Sequence, residues 1–331
     1  MPGGDVRAGG GLERFREVQL PSVTATRLDG NLCATAIRGE LTPRVAVFAS
    51  AHGRAPSLHI LLVGDDPGSQ VYVRNKERAC IETGLHVTVH RMSASSTREQ
   101  VLGLVHQLNA DAGCDGILVQ APLPAALGKA ATQDVFDAID PGKDVDGFHP
   151  TNVGLLVQGR AVLAPCTPTG VIELLERSKI AIGGTRSVVI GRSEIVGKPM
   201  ALMLLQRDST VTICHSRTKN LPAVTRDADL LVSAIGRPGF VTADMVKPGA
   251  TVVDVGISPT SDRQLVVSLF GEGSARLASF DKKGTTVVGD IHPGVWDVAG
   301  AMTPVPGGVG PLTIALLLKN TLVAAESRAG R

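Results

Sequence analysis

The chain reads as an α/β protein of two domains, each built on a parallel sheet, and three features carry that reading. Its 331 residues suffice for two separate hydrophobic cores. Short apolar runs closed by glycine or proline alternate with stretches of helical period. Those runs are apolar at nearly every position, as parallel strands buried on both faces require.

In the first half, residues 58–63, 86–90 and 116–119 are strand candidates, with helices expected over 69–83 and 97–109. The second half repeats the rhythm, with strands over 187–190, 210–214, 229–235, 251–255 and 286–288 and helices over 168–177 and 199–206. Pro168, in Pro165-Cys166-Thr167-Pro168, is suited to open a helix, and the domain boundary is placed there. A last helix over 312–324 follows a glycine-rich loop, is apolar on most sides and is expected to dock back on the first domain. The expected domains are therefore 19–165 with 312–331, and 166–311 as a Rossmann-type parallel-sheet unit, with a cleft between them. Residues 258–283 lack a clear period and read as an insertion or a hairpin.

Composition excludes several functions. With 43% hydrophobic residues, 19% charged residues and a net charge of +2, the chain is not disordered and offers no basic field for nucleic acid. No apolar run reaches the ~18 residues that suggest a membrane span. The five cysteines, Cys33, Cys80, Cys114, Cys166 and Cys214, are widely spaced and form no Cys-x-x-Cys pair, so they read as reduced thiols. Cys166, at a turn, reads as a packing residue before a reactive one. The eight histidines show no ligand spacing, and no metal site is expected. Residues 1–18 mix Arg7, Arg14 and Arg16 with Asp5, Glu13 and Glu17. They read as a flexible extension of a cytoplasmic protein, with organelle import left open.

The only tyrosine, Tyr72, stands four residues before Lys76 in Val71-Tyr72-Val73-Arg74-Asn75-Lys76. On a helix that spacing turns ring and ammonium to one face, a stacking surface beside a proton-transfer group. A solvated surface lysine is the plain alternative. Further along, Val188 to Pro199 reads as a strand, a glycine turn at Gly191 and a helix with proline near its start. Such a turn aims backbone N–H groups and a helix dipole at a phosphate. Gly191 and Gly197 are six apart, which departs from G-x-G-x-x-G, so this stretch alone also admits an ordinary strand-to-helix turn. The next strand ends in Cys214-His215-Ser216-Arg217-Thr218, where an NAD-binding unit carries an acid for the ribose 2′-hydroxyl. Ser216 and Arg217 stand there instead, with Arg192 beside the turn. The arginine fork suits a 2′-phosphate, which favours NADP over NAD. Gly236-Arg237-Pro238 and Asp254-Val255-Gly256-Ile257 follow two more strands, where ligands of open parallel sheets lie.

Several segments together, VGDDPGSQVYVRNKERACIETG (63–84), DGILVQAPLP (115–124), PGKDVDGFHPTNVG (141–154), PCTPTG (165–170), VVIGRSEIVGKPMA (188–201), TVTICHSRT (210–218), KPGATVVDVGI (247–257) and TPVPGGVGPLT (303–313), occur in one order. By them the chain resembles the bifunctional methylenetetrahydrofolate dehydrogenase/methenyltetrahydrofolate cyclohydrolase family (the FolD family), from about Asp29 to Ala324. The resemblance implies a folate-binding catalytic domain and an NADP domain facing each other across a cleft. It also implies NADP-dependent oxidation of 5,10-methylenetetrahydrofolate, hydrolysis of the methenyl product to 10-formyltetrahydrofolate, and a homodimer. It carries over Tyr72, Lys76, Gln120 and Asp146 as catalytic and substrate residues. Val119 and Ala121 flank Gln120, and Pro306, Gly307, Gly308, Val309 and Gly310 lie along the folate. Gly191, Arg192, Ser193, Ser216, Arg217 and Ile257 take the cofactor positions.

In that reading Lys76 moves protons during hydrolysis if a dry pocket lowers its pKa. Gln120 orients it, Asp146 accepts two donors from the pterin, and Tyr72 stacks on the aminobenzoate ring. Plainer readings stand beside these. Asp144 and Asp146 also fit an Asp-rich turn, Gln120 a satisfied polar group, and the late glycines a tight turn into the last helix. Two departures stand out: Ala121 replaces the leucine usual after the glutamine, and the stretch 258–283 is longer than usual. A shikimate-type NADP dehydrogenase, a monofunctional methylenetetrahydrofolate dehydrogenase and a non-catalytic nucleotide-sensing module are the competing readings. KDVDGF and PVPGGVGP argue against the first.

Overall fold

The computed structural model describes residues 25–128 and 130–330. The proposed extension over 1–18 lies outside them. The described residues open with a short strand β1 (Thr26–Arg27) and a long helix α1 (Gly30–His52). The sequence reading assigned neither. Asp29 caps α1 by accepting from the backbone N–H groups of Asn31 and Leu32 at 2.9 and 3.1 Å. The buried positions Cys33, Ile37, Leu41, Val45 and Phe48 form its inner stripe.

A three-stranded parallel sheet follows, ordered β3 (His86–Met92), β2 (Ser57–Val63), β4 (Gly116–Val119). Every residue of β2, the central strand, is buried. Its helices are α2 (Pro67–Thr83), α3 (Arg98–Ala110), α4 (Ala131–Ala138) and α5 (Pro150–Val157). Asp66 caps α2 through the Ser69 N–H at 2.7 Å, and Gly84 ends it in the left-handed conformation. Thr97 and Gln100 form a reciprocal capping box at the start of α3. Helix α2 therefore carries Tyr72 and Lys76, and Gln120 directly follows β4.

Helix α6 (Cys166–Arg177) leads into the second unit and starts two residues before Pro168. The large sheet is wholly parallel, ordered β1, β11 (Ala301–Met302), β8 (Thr251–Asp254), β7 (Leu230–Ser233), β5 (Arg186–Ile190), β6 (Thr210–Cys214). Helices α7 (Gly197–Leu205) and α8 (Leu221–Thr225) connect its strands. β1 comes from the N-terminal part of the chain and pairs with β11 at the edge of this sheet.

The segment without a clear period contains strand β9 (Ser258–Thr260) and helices α9 (Arg263–Phe270) and α10 (Ala275–Lys283). It returns through β10 (Thr286–Val288), which pairs antiparallel with β9. This corrects the reading of 286–288 as one more strand of the parallel sheet: the run is a strand, but it closes a hairpin of its own. A small core of Val266, Leu277 and Phe280 sits between the two helices.

The last helix, α11 (Val309–Ala329), is long and apolar enough to cross a membrane by composition, which the survey of apolar runs did not reveal. It packs against α1 and α6 in the interior. One cluster of buried residues runs from Leu58 and Ile60 of β2 through α11 to Val189 of β5 and Met200 of α7. The two sheets therefore share a continuous apolar cluster.

Candidate active site

Lys76 lies one turn after Tyr72 on α2 and points inward. Only 9% of it is exposed, and its Nζ donates to Gln120 Oε1 at 3.0 Å. Gln120 follows β4. Its backbone N–H donates to the Leu61 carbonyl at 2.9 Å, and its Nε2 to the Ala121 carbonyl at 2.9 Å. With the amide's donor end held, its oxygen is left to face the ammonium. Burial pushes the Lys76 pKa below its ordinary value, and the charge of Asp146 opposes that shift through space.

Asp146 is pushed up to about 6, first by burial and then by the charge of Asp144, against the pull of Lys76. The two acids of KDVD have separate fates. Asp144 is buried and accepts from the N–H groups of Gly147 and His149 and from Asn152 Nδ2 at 3.1, 2.8 and 2.9 Å. It makes the Asp-rich turn, while Asp146 faces the cavity. Lys143, 1% exposed, anchors the same loop. Its Nζ donates to the carbonyls of Leu108, Asn109 and Asp111 at 2.7, 2.8 and 2.7 Å, closing the C-terminal end of α3.

Lys76, Val119, Gln120, Ala121 and Asp146 line one cavity of about 220 Å³. Phe136, Phe148, Cys166, Thr167, Ile195 and Thr313 complete its wall with Thr132. Ile195 comes from the nucleotide half and Thr313 from α11, so the cavity lies between the two units. Thr167 and Thr313 join across it, Oγ1 to Oγ1, at 2.9 Å. The sequence reading assigned none of these to the site, and it read Cys166 as a packing residue. Phe148, Thr167, Ile195 and Thr313 lie inside motifs already quoted, and only the folded chain turns them to one space. Thr132 and Phe136 sit on α4, whose helical pattern was not read. Cys166 is buried, with its thiol pushed well above the usual range by burial, and all five cysteines are free and buried.

Tyr72 is not in the cavity wall; it stands 38% exposed just outside it, on the same helix as Lys76. Nor do Pro306 to Gly310 line it. They form the turn before α11 and its first two residues, with the Gly307 carbonyl accepting from the N–H groups of Gly30 and Asn31 at 2.9 and 3.2 Å. Gly307 has φ of +96°, and a Cβ there would lie 2.7 Å from Asn31 Nδ2. Gly310 approaches Ile257, so this loop meets the end of β8.

Gly191 ends β5 where the strand order reverses, between β6 and β7. Its φ is +127°, and a Cβ would lie 2.5 Å from the Ala234 carbonyl oxygen. Ser193 Oγ accepts from the N–H groups of Val196 and Gly197 at 3.3 and 3.2 Å, steadying the turn. Arg192, Ser216 and Arg217 are exposed at the adjoining ends of β5 and β6. Neither arginine forms an ion pair among the described residues. Among those residues, no group of three or more His, Cys, Asp or Glu side chains is arranged to hold a metal ion.

A parallel sheet with a glycine turn at its switch point, set across a cleft from a buried lysine and carboxylate, defines a two-domain nucleotide-dependent enzyme. The chain belongs to the tetrahydrofolate dehydrogenase/cyclohydrolase family: the model of that family's catalytic domain matches residues 28–146, and that of its NAD(P)-binding domain residues 165–329. It is 50% identical over 304 residues to the "Bifunctional protein FolD" of Solibacter usitatus, covering 92% of this chain and 98% of that protein. The crystal structure of the bifunctional FolD from Campylobacter jejuni matches with a TM-score of 0.81 and 41% identity, over 92% of this chain and 99% of that one. The Trypanosoma brucei enzyme, solved with NADP cofactor and inhibitor, matches with a TM-score of 0.82 and 37% identity, over 93% and 99%.

Proposed function

We propose that this chain oxidises 5,10-methylenetetrahydrofolate with NADP and hydrolyses the resulting 5,10-methenyltetrahydrofolate to 10-formyltetrahydrofolate. The observation that carries the reading is the buried Lys76, bonded to Gln120 and facing Asp146's cavity, at the junction with a Rossmann-type sheet. The sheet's strand ends fit NADP. Among the described residues Arg192 and Arg217 form no ion pair, and Ser216 and Arg217 stand where an NAD-binding unit carries an acid. NADP, when bound there, supplies the hydride acceptor. Gly191, Ser193 and Ile257 border it, Ile257 at the seam with the folate loop.

The chain's own residues do the rest. Hydride leaves a carbon flanked by two nitrogens, so no strong base is needed, and the task is alignment across the cleft. Asp146 holds the pterin by accepting its N–H donors, Val119 and Ala121 form the wall beside it, and Tyr72 stacks on the aminobenzoate at the mouth. Residues Pro306, Gly307, Gly308, Val309 and Gly310 run along the folate. In hydrolysis, water adds to the methenyl carbon and the bond from that carbon to one ring nitrogen breaks. One proton of the water reaches the departing nitrogen and the other leaves to solvent. Lys76, its pKa lowered by burial, takes and returns the proton at Nζ, and Gln120 keeps Nζ in place without adding charge.

We assign residues 19–165 with 312–331 to the folate half and 166–311 to the nucleotide half. The five free thiols suit a reducing compartment, the cytoplasm. A homodimer without nucleic-acid or membrane partners completes the reading, and Val47 and Ile81, 70% and 66% exposed on α1 and α2, offer apolar surface for a second copy. Sedimentation equilibrium reads that directly.

The deciding experiment mixes purified protein with 5,10-methylenetetrahydrofolate and either NADP or NAD, following reduced cofactor and methenyl product separately. Rapid NADPH formation with little methenyl build-up is expected. Accumulating methenyl compound means a dehydrogenase alone, and no reduced cofactor with either nucleotide overturns the substrate.

A further inference from the structure

The helical excursion between β9 and β10 has its own small core, yet it reaches back to the site in two places. On α9, Leu269 lies against the loop after β7: a Cβ on Gly239 would come within 2.3 Å of Leu269 Cδ2. On α10, the guanidinium of Arg276 donates to the carbonyl oxygen of Val305, the residue that enters the Pro306–Gly310 loop. That guanidinium is not a free surface group. It is half-buried, with its carbon 5.0 Å from the centre of the Phe270 ring, which fixes its plane. The Val305 side chain also packs on the turn after β10, its Cγ2 lying 2.8 Å from where a Cβ on Gly289 would stand. Val305 is thus gripped between the turn after β10 and Arg276.

We propose that Arg276 is a positioning residue for the folate-side loop, and that the α9–α10 excursion is a strut setting this loop against the nucleotide-side loop around Gly239. The inference rests on the reading of residues 306–310 as folate-binding. Arg276 touches neither the cavity nor the exposed arginines at the β5 and β6 ends. Its loss therefore weakens folate binding while leaving chemistry and NADP binding in place. A charge-assisted bond to a carbonyl is worth about a factor of ten, or ~1.4 kcal/mol, in the affinity it supports.

The test compares Arg276→Met and Arg276→Lys with the unaltered full chain, reading KM for 5,10-methylenetetrahydrofolate, KM for NADP, kcat, and hydrogen exchange of the amides at 307–310. The methionine variant is expected to raise the folate KM about tenfold, with kcat and the NADP KM nearly unchanged, the signature of lost uniform binding. The lysine variant, still a cation within reach of one carbonyl, is expected to recover most of that loss. If the methionine variant does not fold, Phe270→Leu, which frees the guanidinium plane, carries the same expectation at smaller size. An unchanged folate KM, or equal rises in both KM values together with a lowered Tm, overturns the proposal. Faster exchange at 307–310 in Arg276→Met supports the grip even where the unaltered protein shows no folate turnover, which would refute the functional reading separately. Unchanged exchange refutes the grip.

Discussion

Replacing Lys76 with methionine separates the two chemistries. Methionine has nearly the length of lysine and no charge, so it fits a side-chain slot that is 9% exposed. Two stability effects oppose each other. The protein no longer buries an ammonium, whose lowered pKa records that cost, but Gln120 Oε1 loses its 3.0 Å partner, a loss of about 1–3 kcal/mol. The net change should stay within ~2 kcal/mol, and the variant should fold. Proton transfer by a placed group is worth roughly 10²–10⁴ in rate, so cyclohydrolase activity should fall by that factor. Hydride removal needs no base and should fall only through weaker folate binding.

That weakening has a direction in pH. Lys76 pulls the Asp146 pKa down toward about 6; without it, Asp146 rises further and binds a proton more readily. The ionised carboxylate is the form that accepts pterin N–H donors. Folate affinity in the unaltered protein should therefore climb as pH rises through about 6. In Lys76→Met the same climb should come at higher pH. The assay follows NADPH formation and methenyl disappearance in parallel, from pH 5 to pH 8.5. Hydrolysis within about threefold of the unaltered rate refutes the proton-transfer role, because the expected loss is at least ~100-fold. An unshifted affinity profile refutes the coupling to Asp146.

Gly307→Ala places a Cβ 2.7 Å from Asn31 Nδ2 at a φ of +96°. It should cost about 1–3 kcal/mol of stability and raise the folate KM, read by thermal melting and steady-state kinetics. Lys143→Met strips three carbonyl partners from a side chain that is 1% exposed. A loss of about 2–3 kcal/mol in urea unfolding is expected, with weaker folate binding because the loop carrying Asp146 loosens. Arg192→Ala combined with Arg217→Ala should raise the NADP KM at least ~10-fold and leave the NAD KM nearly unchanged. Equal effects on both nucleotides would refute a 2′-phosphate role.

Most strands and the longer helices flanking them were legible because burial on both faces leaves an unbroken apolar run in a strand, and helical period shows in the stretches between. In the structure Asp66 and Thr97 cap the starts of α2 and α3 and Gly84 ends α2. α1 went unread although Asp29 and the four-residue spacing of Cys33, Ile37, Leu41 and Val45 stand in the sequence, and it carries Pro43 in its interior. The proline is tolerated because it sits on the exposed side of the helix. The segment 258–283 was opaque for a different reason. Its helices bury only a few residues against each other, so neither shows a long apolar stripe, and β10 takes its partner from β9.

What the sequence alone determined is local: the strand–turn–helix rhythm, the Tyr72–Lys76 spacing, the glycine turn at Gly191 and the motif order that marks the family. Apart from the motif order, which runs along the whole chain, each depends on residues within a few positions of one another, where backbone geometry dictates which side chains share a face. What only the tertiary structure decided is which of these side chains meet. It split Asp144 from Asp146, one bound into its own turn and the other turned to the cavity. It left Tyr72 out of the cavity wall, completed the wall with Ile195 and Thr313 from distant elements, and laid Arg276 on Val305. Those contacts depend on packing between elements far apart in the chain, and no local spacing encodes the register in which two folded surfaces come together.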